Sequence, residues 1–322
     1  MSSLARFIRI ACAVGVAAFA ASARADYPDK QFTLVVPFAA GSATDQLARA
    51  LGTEITKITK QPAVVDDKPG ASGFIGAEAV KKATPDGYTV FITTNTTHAA
   101  NEHLYKSMPY DPVKDFAPLT LLGKGGQIMI VSNKSPAKSV REFIALAKAQ
   151  PGKITFGSGS SSSRVAGEMF QQLAGVELLH VPYKSNPLAV NDLLGGQIDM
   201  MITDTATGLP QVKAGKVRAL GVTAKKRSPL APDIPTIDEA GVKGYEMGYW
   251  FAAYVPAKTP PAVVKRLHDL LVKASQSASA KQFYESTGTE PVTSSPEELA
   301  KFQGEESQKW GRIIKSANIQ PE

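Results

Sequence analysis

One pattern in this chain restricts its fold more than any other, and it occurs twice. Residues Phe32–Val36 are apolar or β-branched and stop at Pro37, so a buried strand is expected to leave its sheet there, since proline cannot donate to a ladder. Small residues follow from Ala39 to Ala43, then Thr44-Asp45 open a helix whose Leu47, Leu51, Ile55 and Ile58 share one face. Some 120 residues later Ile154–Phe156, the small residues Gly157–Ser163 and a helix bearing Val165, Met169, Phe170 and Leu173 repeat the arrangement. Two such units predict two like-built α/β halves. A flexible Ser/Gly linker is the alternative for the second unit, but linkers do not normally adjoin a strand and a helix directly.

A helix start presents unpaired backbone N–H groups and the positive end of the helix dipole, so a small-residue turn there binds carboxylates without lysine or arginine. The other reading of the first turn is an ordinary βα connection capped by Thr44 or Asp45.

Further along, Ala63–Val65 reads as a strand running into Pro69–Gly76 and a helix with Ile75, Ala79 and Val80. The spacing Gly70-x-x-Gly73-x-x-Gly76 is not the dinucleotide fingerprint, so no nucleotide cofactor is expected. Tyr88–Ile92 is a strand ending in the hydroxyl-rich loop Thr93–His98, and in open α/β sheets ligands sit beyond the carboxyl ends of strands. Strands are also expected at Ile128–Val131, Leu178–Val181, Ile198–Ile202, Val217–Val222 and Met247–Val255. The predicted helices include Val140–Ala149, Pro261–Gln276 and Glu297–Ala317.

Ahead of all this, Arg6 and Arg9 precede an apolar run from Ile10 to Ala21, and Ala23-Arg24-Ala25 supplies a small-x-small cleavage site. Residues 1–25 are therefore expected to be a Sec signal peptide cleaved near Ala25, giving an exported, periplasmic protein. The run falls short of the ~20 residues a membrane span needs. Cys12, the single cysteine, lies within it, so the mature chain has no disulfide or thiol chemistry. The remaining 322 − 25 = 297 residues suit two domains. Loss of Arg6, Arg9 and Arg24 lowers the formal charge from +7 to +4, and lysines such as Lys57, Lys148 and Lys213 are scattered, which excludes nucleic acid as a partner. The four histidines are dispersed, so no metal site is expected.

Across nearly the whole mature chain, VVPFAAGSATD, KPGASGFIGAEAV, TPDGYTV, YDPVKDFAPLTLL, HVPYK, DLLGGQID, GKVRALGVTA, DIPTIDEAG and KWGRIIKSANI follow in order. Together they resemble the Bug-type solute receptors of tripartite tricarboxylate transporters. The resemblance implies an α/β, two-lobed, type II periplasmic-binding-protein fold, each lobe a β-sheet flanked by helices, with the ligand cleft between lobes. It places one lobe at 26–125 plus 246–322 and the other at 126–245. It implies a monomeric receptor, without cofactor, that passes a small organic acid to membrane permease subunits. The ligand is expected among amino and hydroxy acids, di- and tricarboxylates and aromatic acids. The binding residues expected on this basis are Phe38, Ala39, Gly41, Ser42, Thr44 and Asp45 of the first turn, Ala71 and Ser72 of the second, and Thr94 and Asn95. From the opposing half they are Ser158, Ser160, Ser161, Ser162, Arg164, Tyr183 and Asp204. Ser42 stands where the family usually has a second glycine, Arg164 where histidine is common, and Ser185-Asn186 where glycine usually follows Tyr-Lys. Arg164 either pairs with a second ligand carboxylate or lies on the helix surface. Asp204 either meets an amino or hydroxyl group of the ligand or caps the next helix.

Two other functions compete with this one. A secreted hydrolase with a serine nucleophile would want a Gly-x-Ser-x-Gly elbow, which is absent, and Ser135-Pro136-Ala137-Lys138 matches Ser-x-x-Lys without partner motifs. The chain is accordingly not expected to be an enzyme. A receptor that also acts as input to a sensor protein is compatible with every residue above.

Overall fold

The computed structural model describes residues 27–322; the expected signal peptide lies outside the described residues. The first pattern folds as β1 (Phe32–Val36) and α1 (Ala43–Thr59). Leu47, Ala48, Leu51 and Ile55 form the buried face of α1, as their near-helical spacing requires. β2 (Ala63–Asp67) and β3 (Thr89–Thr94) pair with β1 on either side, both parallel. Between them lies α2 (Phe74–Lys81), and after β3 comes a π-helical turn, Thr96–Ala100, leading into α3 (Asn101–Leu104).

The second half repeats this logic. After β4 (Phe116–Ser132) and α4 (Val140–Ala149), β5 (Thr155–Ser158) runs into α5 (Ser161–Ala174). β6 (Leu179–Pro182), α6 (Asn186–Gly195), β7 (Met200–Asp204), α7 (Thr205–Lys213) and β8 (Val217–Val222) follow. β5 is flanked by parallel β6 and β7, just as β1 is flanked by β2 and β3. β9 (Gly248–Pro256), α8 (Pro261–Ser275), α9 (Ala278–Thr287) and α10 (Pro296–Ser316) complete the chain.

β4 joins the two parallel sets. Its first part pairs antiparallel with β9, from Phe116 opposite Pro256 to Gly126 opposite Gly248. From Gln127 onward it pairs with β7 and β8 instead, Gln127 lying opposite Asp204. Gly125 stands at the changeover, where a Cβ would come within 2.4 Å of the Tyr249 ring. One apolar core spans both halves, including Phe91, Phe116, Trp250 and Tyr254 together with Met129, Phe143, Phe156 and Phe170.

Several elements differ from the sequence expectation for identifiable reasons. β4 is 17 residues long where a four-residue strand was expected, because its early part holds Pro118 and three glycines that read as turn, yet pairing with β9 overrides local preference. Thr93 and Thr94 extend β3, and Thr96–Ala100 is helical, so Thr93–His98 is not a loop. Ile75 is half exposed, and Gly76, Ala77 and Val80 form the buried face of α2. α9 was not anticipated, its apolar residues being too few to announce a face. Among the described residues no helix is long and apolar enough to cross a membrane.

Candidate functional site

Three helices begin on one cavity. The N-caps of α1, α5 and α7 are Ser42, Ser160 and Asp204, and all three line it. Each cap takes the N–H of the third helical residue: Ser42 Oγ from Asp45 at 3.2 Å, Ser160 Oγ from Ser163 at 3.2 Å, and Asp204 Oδ1 from Thr207 at 2.8 Å. The first N–H groups of a helix have no intrahelical acceptor, and of the residues that carry them Ala43, Thr44 and Ser162 line the cavity. Phe38, Tyr249 and Phe251 form apolar walls, and Thr44, Thr94, Ser162, Gln127 and Asn186 add polar atoms. The free space among these residues is about 30 Å³. Neither lysine nor arginine lines it. What suits it to an anion is the set of helix starts with their dipoles, beside the hydroxyl groups of Ser42, Thr44, Ser160 and Ser162.

The turns are held rigidly. Asp45 is buried beneath the first turn, where its Oδ2 accepts from Gly41 N at 2.8 Å and its Oδ1 lies 2.7 Å from Arg49 Nε. The cap of α1 is therefore Ser42, while Asp45, instead of being the cap itself, holds the preceding turn through Gly41 N. Asn186 braces the opposite side, its Oδ1 accepting from Gly159 N at 3.0 Å and its Nδ2 donating to Asp204 Oδ2 at 2.9 Å. Gly159 is obligatory, since a Cβ there would lie 1.9 Å from the Ser185 carbonyl carbon.

The expected site residues do not all meet. Phe38, Ser42, Thr44, Thr94, Ser160, Ser162 and Asp204 surround the first cavity. Ala39 and Gly41 sit on the outer side of the first turn, and Ala71 is exposed. Asn95 is buried behind β9, its Oδ1 accepting from Trp250 N at 3.3 Å. Ser72, Ser158, Ser161, Arg164 and Tyr183 instead line a second cavity of about 120 Å³ with Tyr105, His180 and Glu322; Ser160 is common to both. There Ser72 Oγ lies 2.6 Å from Tyr105 Oη, Tyr183 donates to Asp192 at 2.7 Å, Ser161 donates to Asn101 at 2.6 Å, and Arg164 pairs with Glu322 at 2.7 Å. Asp204 caps α7, one of its two expected placements, and also lines the first cavity. Gln127, Asn186, Tyr249 and Phe251 escaped the sequence reading. Asn186 alone carried a signal, opening a helix after a Tyr-Lys-Ser turn.

The second cavity holds one pair with the look of catalysis: Ser158 Oγ lies 2.7 Å from His180 Nε2. Burial, reinforced by Arg164, pushes the His180 pKa down to about 4, which makes it a weak base. Among the described residues no carboxylate is hydrogen-bonded to its ring, so the third member of a triad is missing. No group of acidic or histidine residues among the described ones is placed to hold a metal.

Comparison with known proteins adds independent information. The family model described as tripartite tricarboxylate transporter family receptor matches residues 47–319. A solved structure, R. palustris Rpa4515 with adipate, superposes with a TM-score of 0.88 at 35% identity, covering 92% of this chain and all of that one. The periplasmic binding protein BugD gives a TM-score of 0.88 at 33% identity over 92% of this chain and 100% of its own. MatC from Rhodopseudomonas palustris with bound malate gives 0.84 at 28% identity, over 89% and 100% respectively.

Proposed function

This chain belongs to the tripartite tricarboxylate transporter receptor family, and from that premise we propose that it captures a small organic carboxylate in the cavity between α1, α5 and α7 and delivers it to the permease subunits of such a transporter. Its fold is that of the periplasmic binding proteins. The observation that carries the ligand class is the convergence of three helix N-termini on a cavity that no lysine or arginine lines. Adipate in Rpa4515 and malate in MatC support the reading, both being dicarboxylates held by relatives of this chain.

Residues 26–125 plus 246–322 and 126–245 serve as two lobes that close on the ligand, each contributing one parallel set of strands. The reading is supported by the N-caps, since Ser42 comes from the first lobe and Ser160 and Asp204 from the second. The protein acts in the periplasm as a monomer and does not convert its ligand. The Ser158–His180 pair favours a hydrolase, but a histidine held near 4 and unsupported by a carboxylate argues against it.

A thermal-shift screen over mono-, di- and tricarboxylates, amino acids and aromatic acids tests this. A ligand at one hundred times its dissociation constant adds ~2.7 kcal/mol, which raises Tm by roughly 5 °C for a protein of this size. Recovery of the bound acid unchanged supports the receptor. Recovery of a converted product, or no stabilisation by any carboxylate, defeats it.

A further inference from the structure

Gln127 is a polar side chain on the cavity wall with a buried atom left without a hydrogen-bond partner. It is 1% exposed, and its Oε1 is buried with no partner among the described residues. Its backbone is not free to move aside: Gln127 N donates to Thr223 Oγ1 at 2.7 Å, and Gln127 O accepts from Thr223 N at 2.9 Å. Thr223 Oγ1 is itself tied to Met247 O at 2.7 Å. The residue is thus clamped at the point where β4 passes from β9 to β7. A buried acceptor left without a donor is costly, and sites built around such groups bind ligands that complete them.

Its cross-strand neighbour on β7 is Asp204, which also lines the cavity and is also an acceptor. Asp204 takes hydrogen bonds from Thr207 N, Asn186 Nδ2 and Thr203 Oγ1, whereas an ionised carboxylate offers about four lone-pair positions. This end of the cavity therefore presents one wholly unused acceptor and one incompletely used, with no cationic side chain beside them. A plain carboxylate placed there would set another acceptor against Asp204 and Gln127 Oε1, with Gln127 Nε2 the donor on that same amide. A hydroxyl or ammonium group would supply what both lack.

Resting on the reading of the cavity as a carboxylate site, we propose that Gln127 is a specificity-determining residue. With Asp204 beside it, it selects acids that carry a hydrogen-bond donor on the chain, that is hydroxy or amino acids, over the corresponding unsubstituted acids. The carboxylate is held by the helix starts, and the donor on its carbon chain satisfies Gln127 Oε1.

Calorimetric titration with matched sets tests this: succinate, malate and aspartate, and adipate with 2-aminoadipate. The wild-type protein is expected to bind at least one substituted acid tenfold or more tightly than its parent. Gln127→Met keeps the side-chain length but removes the amide. It should weaken the substituted acid at least tenfold and leave the parent within about twofold, with Tm of the empty protein unchanged or raised. Gln127→Leu provides a second apolar replacement should methionine fill the cavity. Tighter binding of the parent acid, or a preference that survives both substitutions, overturns the role of Gln127 while leaving the carboxylate receptor intact. Failure of every acid, substituted or not, overturns both.

Discussion

Arg164 Nη2 and Glu322 Oε1 lie 2.7 Å apart and tie α5 to the segment beside α3. Glu322 is itself held by its backbone, donating to Leu104 O at 2.9 Å and accepting from Lys106 N at 2.8 Å, so the ion pair bridges the two halves next to the ligand cavity. Arg164 is largely enclosed, yet Glu322 is 59% exposed, and an ion pair so open to water contributes no more than ~1 kcal/mol. Glu322→Gln should therefore raise the ligand dissociation rate, but by less than ~5-fold, and raised ionic strength should erase the difference. Stopped-flow displacement at low and high salt measures this. An unaltered rate at low salt would show that the pair does not restrain opening.

Proline at the first position of α1 gives a selective lesion. Ala43 is that position, and Ser42 before it has φ −64° and ψ 156°, a conformation that a following proline permits. Ala43→Pro removes a single N–H from the cavity and leaves the helix intact. Hydrogen bonds to charged groups contribute ~1.5–3 kcal/mol, so carboxylate affinity should fall roughly 10- to 100-fold. Thermal unfolding of the empty protein should stay within ~2 °C of wild type, since proline is tolerated at this position. A matching loss of Tm would point to a damaged helix instead.

Salt should matter little to the main ligand. Because the cavity is lined by no lysine or arginine, and partly buried dipoles are poorly screened, affinity should change less than about threefold between roughly 0.05 and 0.5 M NaCl. A tenfold loss would reveal a long-range charged contribution that the geometry does not contain.

Acid should destabilise the fold. Burial holds the His98 pKa down at about 3 and, with Arg164 nearby, that of His180 at about 4, against an ordinary 6.5. Both are depressed bases, so the unfolded chain binds more protons and stability falls as pH drops below 6.5. Asp67 acts in the opposite direction: burial and the neighbouring Asp45 push its carboxyl up to about 6 from 3.8, so the folded state binds the extra proton between those values. Urea unfolding at pH 7 and pH 5 should show net loss of stability at pH 5. His98→Gln should reduce the pH dependence by up to one proton, worth ~1.4 kcal/mol per pH unit. Equal stability at both pH values would contradict the depressed histidines.

How much of this was legible in the sequence depends on the distance over which each signal acts. The strand–turn–helix units are local, so β1–α1 and β5–α5 were placed nearly to the residue, and Ser42, Ser160 and Asp204 stood among the expected binding residues. The cap of α1 is Ser42 and not Thr44 or Asp45, because three neighbouring residues of capping type follow one another and only the fold shows that Asp45 N donates to Ser42 Oγ while the Asp45 carboxylate takes Gly41 N. Gln127 carried no signal at all, since its importance arises from a strand changing partners at Gly126. The division of Arg164, Tyr183 and Ser72 from Ser42 and Asp204 was likewise invisible. It follows from Ser158 and Ser161 lining the second cavity while Ser162, at the same helix start, lines the first and Ser160 borders both.

The central claim is that free N–H groups at helix starts, without a lysine or arginine, hold a carboxylate here. The most direct measurement is calorimetric titration with the best-binding acid and with its primary amide, which keeps size and shape but replaces an acceptor oxygen with a donor. The account predicts at least a hundredfold weaker binding of the amide, about 2.7 kcal/mol at 1.4 kcal/mol per tenfold. Comparable affinity for the acid and its amide would contradict it.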